Sequence, residues 1–245
     1  MNTVRVLNTD ITDTTIDEVS DILNNSRGNT VAICNANTLV QCVKHNEINS
    51  IINSFTIASP DGFPVAMASR ILYKNNQQRV DGYKIFNNTL VKSQNTNVTH
   101  YFFGNTEEVV TKIIKKYKEN FPSVNIVGYC CPPFLNIDEL AGEEYFKEVV
   151  ELDPDIIWFS LGFPKQEKLI NLIRNKYSIN SNLVGIGFTF DWTAGTKYKA
   201  PEFIANIGLE WLFRLIQEPR RLYKRYLIDN TLFVLYFLRQ VLFRR

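Results

Sequence analysis

The chain has 245 residues, 45% of them hydrophobic and 21% charged, with a formal net charge of +2; this excludes a disordered chain and allows one large domain, or one domain plus an appendage. Four cysteines without a CxxC spacing and only two histidines speak against a Cys/His zinc site and against a disulfide framework. The first eight residues lack a basic flank followed by an apolar stretch, so no signal peptide is predicted and the protein is expected to stay in the cytosol.

Short β-branched runs alternate with amphipathic patterns. Strands are predicted at 30–34, 56–58, 99–103, 125–129, 155–160 and 183–187. Helices are predicted around 38–54, 64–73, 82–93, 106–120, 138–151 and 164–176. The helix near 106 is the best specified. Asn105 or Thr106 can cap it, Glu107 and Glu108 lie in its first turn, and Lys112, Lys115, Lys116 and Lys118 lie toward its end, matching the macrodipole. This alternation predicts an α/β fold, a Rossmann-like parallel sheet flanked by helices. The vicinal Cys130-Cys131 reads as two small buried hydrophobes. Beyond Pro201 the alternation stops and the chain turns helical, with Pro219 as a break. The expected division is an α/β catalytic domain at 1–195 and a helical, basic-aromatic appendage at 196–245.

Residues 211–245 carry eight basic and two acidic side chains, so this tail is +6 while the rest of the chain is −4. Arginines interleaved with aromatics attract a polyanion, either an anionic membrane surface or a nucleic acid. The apolar block at 232–238 favours lipid. It is bounded by Asp229 and Arg239 and is read as too short to span a bilayer. The tail is therefore expected to lie in the interface. Trp211, Phe213, Phe233 and Phe237 would bury there, and Arg220, Lys224, Arg225 and Arg239 would meet lipid phosphates.

In a parallel α/β sheet, ligands bind at the carboxyl ends of the strands. Ser59-Pro-Asp61-Gly62 sits at such an end, where Asp61 is either a base for a hydroxyl or simply part of a turn. Asn35-Ala-Asn37 reads as a helix cap or as a sugar-orienting amide. Arg79 reads as a surface cation or as a diphosphate partner. Gly162-Phe-Pro-Lys165-Gln166-Glu167 combines a glycine after a strand with a helix start, and Gly185-Ile-Gly187 followed by Asp191 is a second glycine-lined end. Neither matches a dinucleotide fingerprint or a P-loop. Asp153-Pro-Asp155 has a D-x-D spacing but falls at an amino end, so no metal is expected there.

Taken in order from about residue 30 to 230, these motifs resemble the WecG/TagA/CpsF family of bacterial glycosyltransferases. The matching pieces are Asn35-Ala-Asn37, Ser59-Pro-Asp-Gly62, Arg79-Val-Asp-Gly82, Gly162-Phe-Pro-Lys-Gln-Glu167, Gly185-Ile-Gly-Phe-Thr-Phe-Asp191, Ala200-Pro201, Gly208-Leu-Glu-Trp-Leu-Phe-Arg214 and Glu218-Pro-Arg-Arg221. The resemblance implies an inverting, metal-independent transfer from a UDP-sugar, without cofactor, to a polyprenyl-diphosphate-linked saccharide in surface-glycan synthesis. It places the enzyme peripherally on the cytoplasmic face of the bacterial inner membrane. It makes Asp61 the general base, and Asn35, Arg79 and Gln166 pocket residues. Gly162, Lys165, Gly187 and Asp191 join them as expected substrate contacts, with Arg214 and Arg221 supplied by the tail. Ile33 and Lys199 depart from the family's usual Thr and Arg, which leaves the donor sugar open. Two other readings compete: a nucleotide-dependent enzyme of another class, such as an oxidoreductase, and a binding protein with a nucleic-acid-contacting tail. The absent dinucleotide fingerprint and the apolar tail weigh against them, and no nucleic-acid partner is expected. A second copy of the chain remains a candidate partner.

Overall fold

A computed structural model describes residues 1–243; Arg244 and Arg245, counted above in the tail's charge, lie outside the described residues. The chain opens with an element the sequence reading passed over, an antiparallel hairpin of β1 (Thr3–Val6) and β2 (Thr9–Thr12) followed by helix α1 (Ile16–Asn25). The helix start was legible. The Thr15 side chain accepts from the Glu18 amide and the Glu18 carboxylate accepts from the Thr15 amide, a capping box. The strands, at four residues each with a turn at Leu7 (φ 53°), are too short to announce themselves.

The chain continues through β3 (Thr30–Cys34), α2 (Ala36–Lys44), α3 (Asn46–Asn53), β4 (Ile57–Pro60), α4 (Phe63–Tyr73), α5 (Gly82–Lys92) and β5 (Thr99–Gly104). It then forms α6 (Glu107–Asn120), β6 (Asn125–Cys130), α7 (Ile137–Leu140), α8 (Glu143–Leu152), β7 (Ile156–Ser160), α9 (Lys165–Lys176), β8 (Asn182–Gly185) and α10 (Thr189–Thr193). The six strands β3 to β8 make one parallel sheet in the order β4-β3-β8-β7-β5-β6, as the alternation predicted. Three predicted elements differ. The helix predicted at 38–54 is two helices, because His45 is extended (φ −134°, ψ 106°), and the helix predicted at 138–151 is likewise two, α7 and α8, parted at Ala141-Gly142. Strand β8 stops at Gly185, which places Gly187 in the loop beyond it.

Residue parity along the strands sorts side chains into two cores. Cys34, Ala58, Phe103, Ile157 and Phe159 pack with α2, α8 and α9 on one face of the sheet. Val31, Ile57, Phe102, Ile156 and Trp158 pack with α1, α5 and α6 on the other. A strand such as β7, buried at every position, is therefore uniformly apolar rather than alternating.

The tail consists of α11 (Glu202–Asn206), α12 (Glu210–Gln217), α13 (Pro219–Tyr223), a π-helical turn at Lys224–Asp229, and α14 (Asn230–Phe243). The break at Pro219 lies where predicted. From Pro219 to Phe243 the chain is one helical run of 25 residues, long and apolar enough to cross a membrane. That corrects the reading that nothing in the tail could span, which counted only the uninterrupted apolar block. The run is docked on the body, however. Phe233 is buried in the first core, and Gln240 accepts from the Leu7 amide (2.8 Å) and donates to the Arg5 carbonyl (3.0 Å). Phe233 and Phe237, expected to enter lipid, both pack inward instead.

Candidate active site

A cavity of about 570 Å³ opens where the carboxyl ends of β3, β4, β5, β7 and β8 meet the tail. Asn35 follows β3. Its side-chain oxygen accepts from the Thr38 amide (3.2 Å), capping α2, and the residue also borders the cavity. The helix-cap reading of Asn35 therefore holds, and the cap stands at the cavity mouth. Asp61 follows β4, and its amide donates to the Cys34 carbonyl, fixing it against β3.

Arg79 is not a surface cation. Its Nε donates to Asp61 Oδ1 (3.3 Å), its Nη1 meets Glu210 Oε2 from the tail (2.7 Å), and Asp81 Oδ2 lies 4.0 Å away. One buried guanidinium thus holds three carboxylates, leaving this wall net negative. Burial pushes the Asp61 carboxyl above its ordinary value; Arg79 pulls it down, while Asp81 and Glu210 add to the rise.

The facing wall is cationic and comes from the tail. The Arg214 guanidinium lies over the rings of Phe188 (4.9 Å) and Trp192 (5.1 Å), and Arg221 lies over Phe188 (5.1 Å). Arg225, expected to meet lipid, points instead into this cavity. Burial and the neighbouring Arg214 and Arg221 charges pull its pKa down, while Tyr226 and Asp61 oppose that. Trp211 also turns inward, against Tyr226 (6.2 Å), beside a smaller cleft that shares Asn35, Asp61 and Arg79 with the first. Arg220, Lys224 and Arg239 are exposed, as expected.

Gln166 works as a strut. Its Oε1 accepts from the amides of Gly162 (3.2 Å) and Gly187 (3.1 Å), tying the loops after β7 and β8 together. Gly185 permits this: a Cβ there would stand 2.9 Å from the Gln166 amide nitrogen. Asp191 accepts from Asn105 Nδ2 (2.9 Å), closing the rim above β5. Lys165 does not join them. Its ammonium donates to the Leu135 carbonyl and sits over the Phe134 ring (4.3 Å), outside the cavity.

Glu167 was quoted in the sequence motif but given no role. It is buried at the cavity wall, accepts from Gln166 Nε2 (2.8 Å), and its second oxygen has no hydrogen-bond partner. Burial pushes it up to about 7, against the pull of Gln166 and Arg225. An acid whose folded pKa is raised takes a proton the unfolded chain releases, so stability falls as pH rises from the ordinary carboxylate range to about 7. Glu167→Gln should abolish up to about 3 kcal/mol of that fall. Denaturant midpoints of both proteins at about pH 5 and about pH 8 check it; parallel pH dependences would show that Glu167 stays ionised.

Neither histidine lines the cavity. His100, on β5, is buried between Ser93 Oγ (2.8 Å) and the Trp158 indole N–H (3.2 Å), and burial pushes its pKa down to about 3. Asp153 and Asp155 pair with Arg27 at the amino end of β7, remote from the cavity.

A sequence model described as "Glycosyl transferase WecG/TagA/CpsF family" matches residues 4–245. The chain is 28% identical over 199 residues to a protein of Bacillus spizizenii, covering 81% of this chain and 75% of that one. It is 26% identical over 194 residues to a protein of Bacillus subtilis, covering 79% and 73%. It is 24% identical over 228 residues to a protein of Staphylococcus aureus, covering 89% and 86%. All three relatives are named N-acetylglucosaminyldiphosphoundecaprenol N-acetyl-beta-D-mannosaminyltransferase.

Proposed function

Since the chain belongs to the WecG/TagA/CpsF family of glycosyltransferases, we propose that it moves a sugar from a UDP-sugar to a saccharide on a polyprenyl diphosphate by one inverting displacement. The observation that carries this reading is the opposition within one cavity of a half-buried Asp61 and the tail's Arg214, Arg221 and Arg225. The Asp61 carboxylate takes the proton of the acceptor hydroxyl, and that oxygen attacks the anomeric carbon. The bond to the diphosphate breaks on the far side, and UDP departs with the electron pair toward the three guanidiniums. Arg79 holds Asp61 in place, and the Gln166 strut shapes the loops after β7 and β8 that receive the donor.

The relatives' names make N-acetylmannosamine the first donor sugar to try and N-acetylglucosaminyl-diphosphoundecaprenol the first acceptor. The β linkage in those names is what inversion of an α-linked UDP-sugar yields. The enzyme works at the cytoplasmic face of the membrane, where UDP-sugars are available. The docked tail supports a peripheral placement: Leu212, Ile216, Leu227, Ile228, Leu235 and Leu238 are exposed near Arg220, Lys224 and Arg239. The test is a screen of UDP-sugars, UDP-N-acetylmannosamine first, against that acceptor, with product followed by mass spectrometry. Binding of UDP with no transfer from any UDP-sugar would overturn the reading.

Three guanidiniums supply the positive charge a metal would otherwise bring to a departing diphosphate. Transfer is therefore expected to proceed at an unchanged rate in EDTA. A loss restored by Mn²⁺ or Mg²⁺ would show that a metal takes part.

A further inference from the structure

Arg225 reaches the cavity from an irregular helical turn of the tail. Lys224–Asp229 is π-helical, whereas the chain before and after it is α-helical. Such a turn offsets the faces on its two sides, and single π turns concentrate at functional sites. Before it Arg221, and within it Arg225, face the cavity; after it, Phe233 and Gln240 face the body.

The Arg225 Nε is buried without a hydrogen-bond partner, and Arg214 and Arg221 repel the guanidinium, against the attraction of Asp61 and of the Tyr226 ring (5.9 Å). The backbone that carries it has a separate hold. Asp229, four residues on and 8% exposed, closes the π turn. It accepts from Asn37 Nδ2 (2.7 Å), Lys44 Nζ (2.8 Å) and Gln41 Nε2 (3.4 Å). All three donors stand on α2, whose cap Asn35 borders the cavity at the end of β3. The tail is thereby pinned to the same sheet that carries Asp61. We propose that Asp229 is a positioning residue, whose hold on α2 sets the register of the π turn and keeps the Arg225 guanidinium in the cavity. Its importance for transfer rests on the function proposed above; its geometric role does not.

The test is a double-mutant cycle on the full chain, read by calorimetric binding of UDP and, separately, of inorganic pyrophosphate. Arg225→Ala and Asp229→Ala should each weaken both probes by about tenfold, and the double variant by no more than either alone. Asp229→Ala within about twofold of wild type, or losses that multiply to about 100-fold in the double variant, would overturn the proposal. Lys44→Met, which removes one donor and leaves Asn37 and Gln41 in place, should cost about threefold in wild type and nothing in Arg225→Ala. An equal loss in both backgrounds would also overturn it. Binding of pyrophosphate but not UDP by wild type would remove the transferase reading while the cycle still decides the role of Asp229. Binding of neither would end both.

Discussion

Asp61→Asn is expected to lower transfer by ~10²- to 10⁴-fold, with UDP binding kept within about threefold of wild type. The asparagine preserves shape and can still accept from Arg79 Nε, so the local architecture should survive. What is lost is the carboxylate that takes the proton of the acceptor hydroxyl in the proposed mechanism. The pH profile adds a second check. Because burial raises the Asp61 pKa, the base is protonated at a higher pH than an exposed aspartate, and the rate should fall on the acid side above the ordinary carboxylate range. Residual activity of Asp61→Asn should lack that limb. Activity within about threefold of wild type, or an unchanged acid limb in the variant, would remove Asp61 from the role.

Removing everything beyond residue 200 is expected to reduce transfer by ~10³-fold or more, even to a water-soluble acceptor without a lipid. The cut takes away Arg214, Arg221 and Arg225 and also Glu210, the ion-pair partner of Arg79. One such electrostatic donor is typically worth ~10²- to 10³-fold in rate. The same cut bares the seat on α2 and leaves Lys44 without Asp229. The full-length triple Arg214→Ala/Arg221→Ala/Arg225→Ala is therefore the matched variant, since it empties the cavity wall and keeps the seat covered. Both proteins should fail on the soluble acceptor, and only the truncated one should cease to float with anionic liposomes. Equal flotation would deny the tail its part in anchoring, and full turnover of the triple variant would confine the tail to attachment.

Much of this was legible in the sequence because it is written locally. Strand–helix alternation gave the parallel sheet, and polar or glycine-rich segments after several strands marked the loops that converge on the cavity. Asn35, Asp61, Gly162 and Gly187 reach it because strand ends in a parallel sheet have nowhere else to go. What escaped depends on distance along the chain. The shortest ion pair of Arg79 is with Glu210, which lies 131 positions further on. Lys165 and Gln166 are neighbours, yet only Gln166 reaches the cavity, because helical direction separates adjacent residues and Lys165 finds the Leu135 carbonyl. In the tail, composition identified a basic-aromatic segment but not which side chains face inward. A seven-residue apolar block bears no mark of the π turn that sends Arg225 one way and Phe233 another.

The docking of α14 also sets an order in time. Its seat is built from the hairpin at Arg5 and Leu7 and from α2 between Asn37 and Lys44. The helix that covers this seat is made roughly 190 residues later, which at ordinary rates of elongation is some ten to forty seconds. During that interval the sheet can assemble while the place for Phe233 stands open to solvent. The sheet can therefore stand complete before the tail's arginines arrive, together with the segment that closes it.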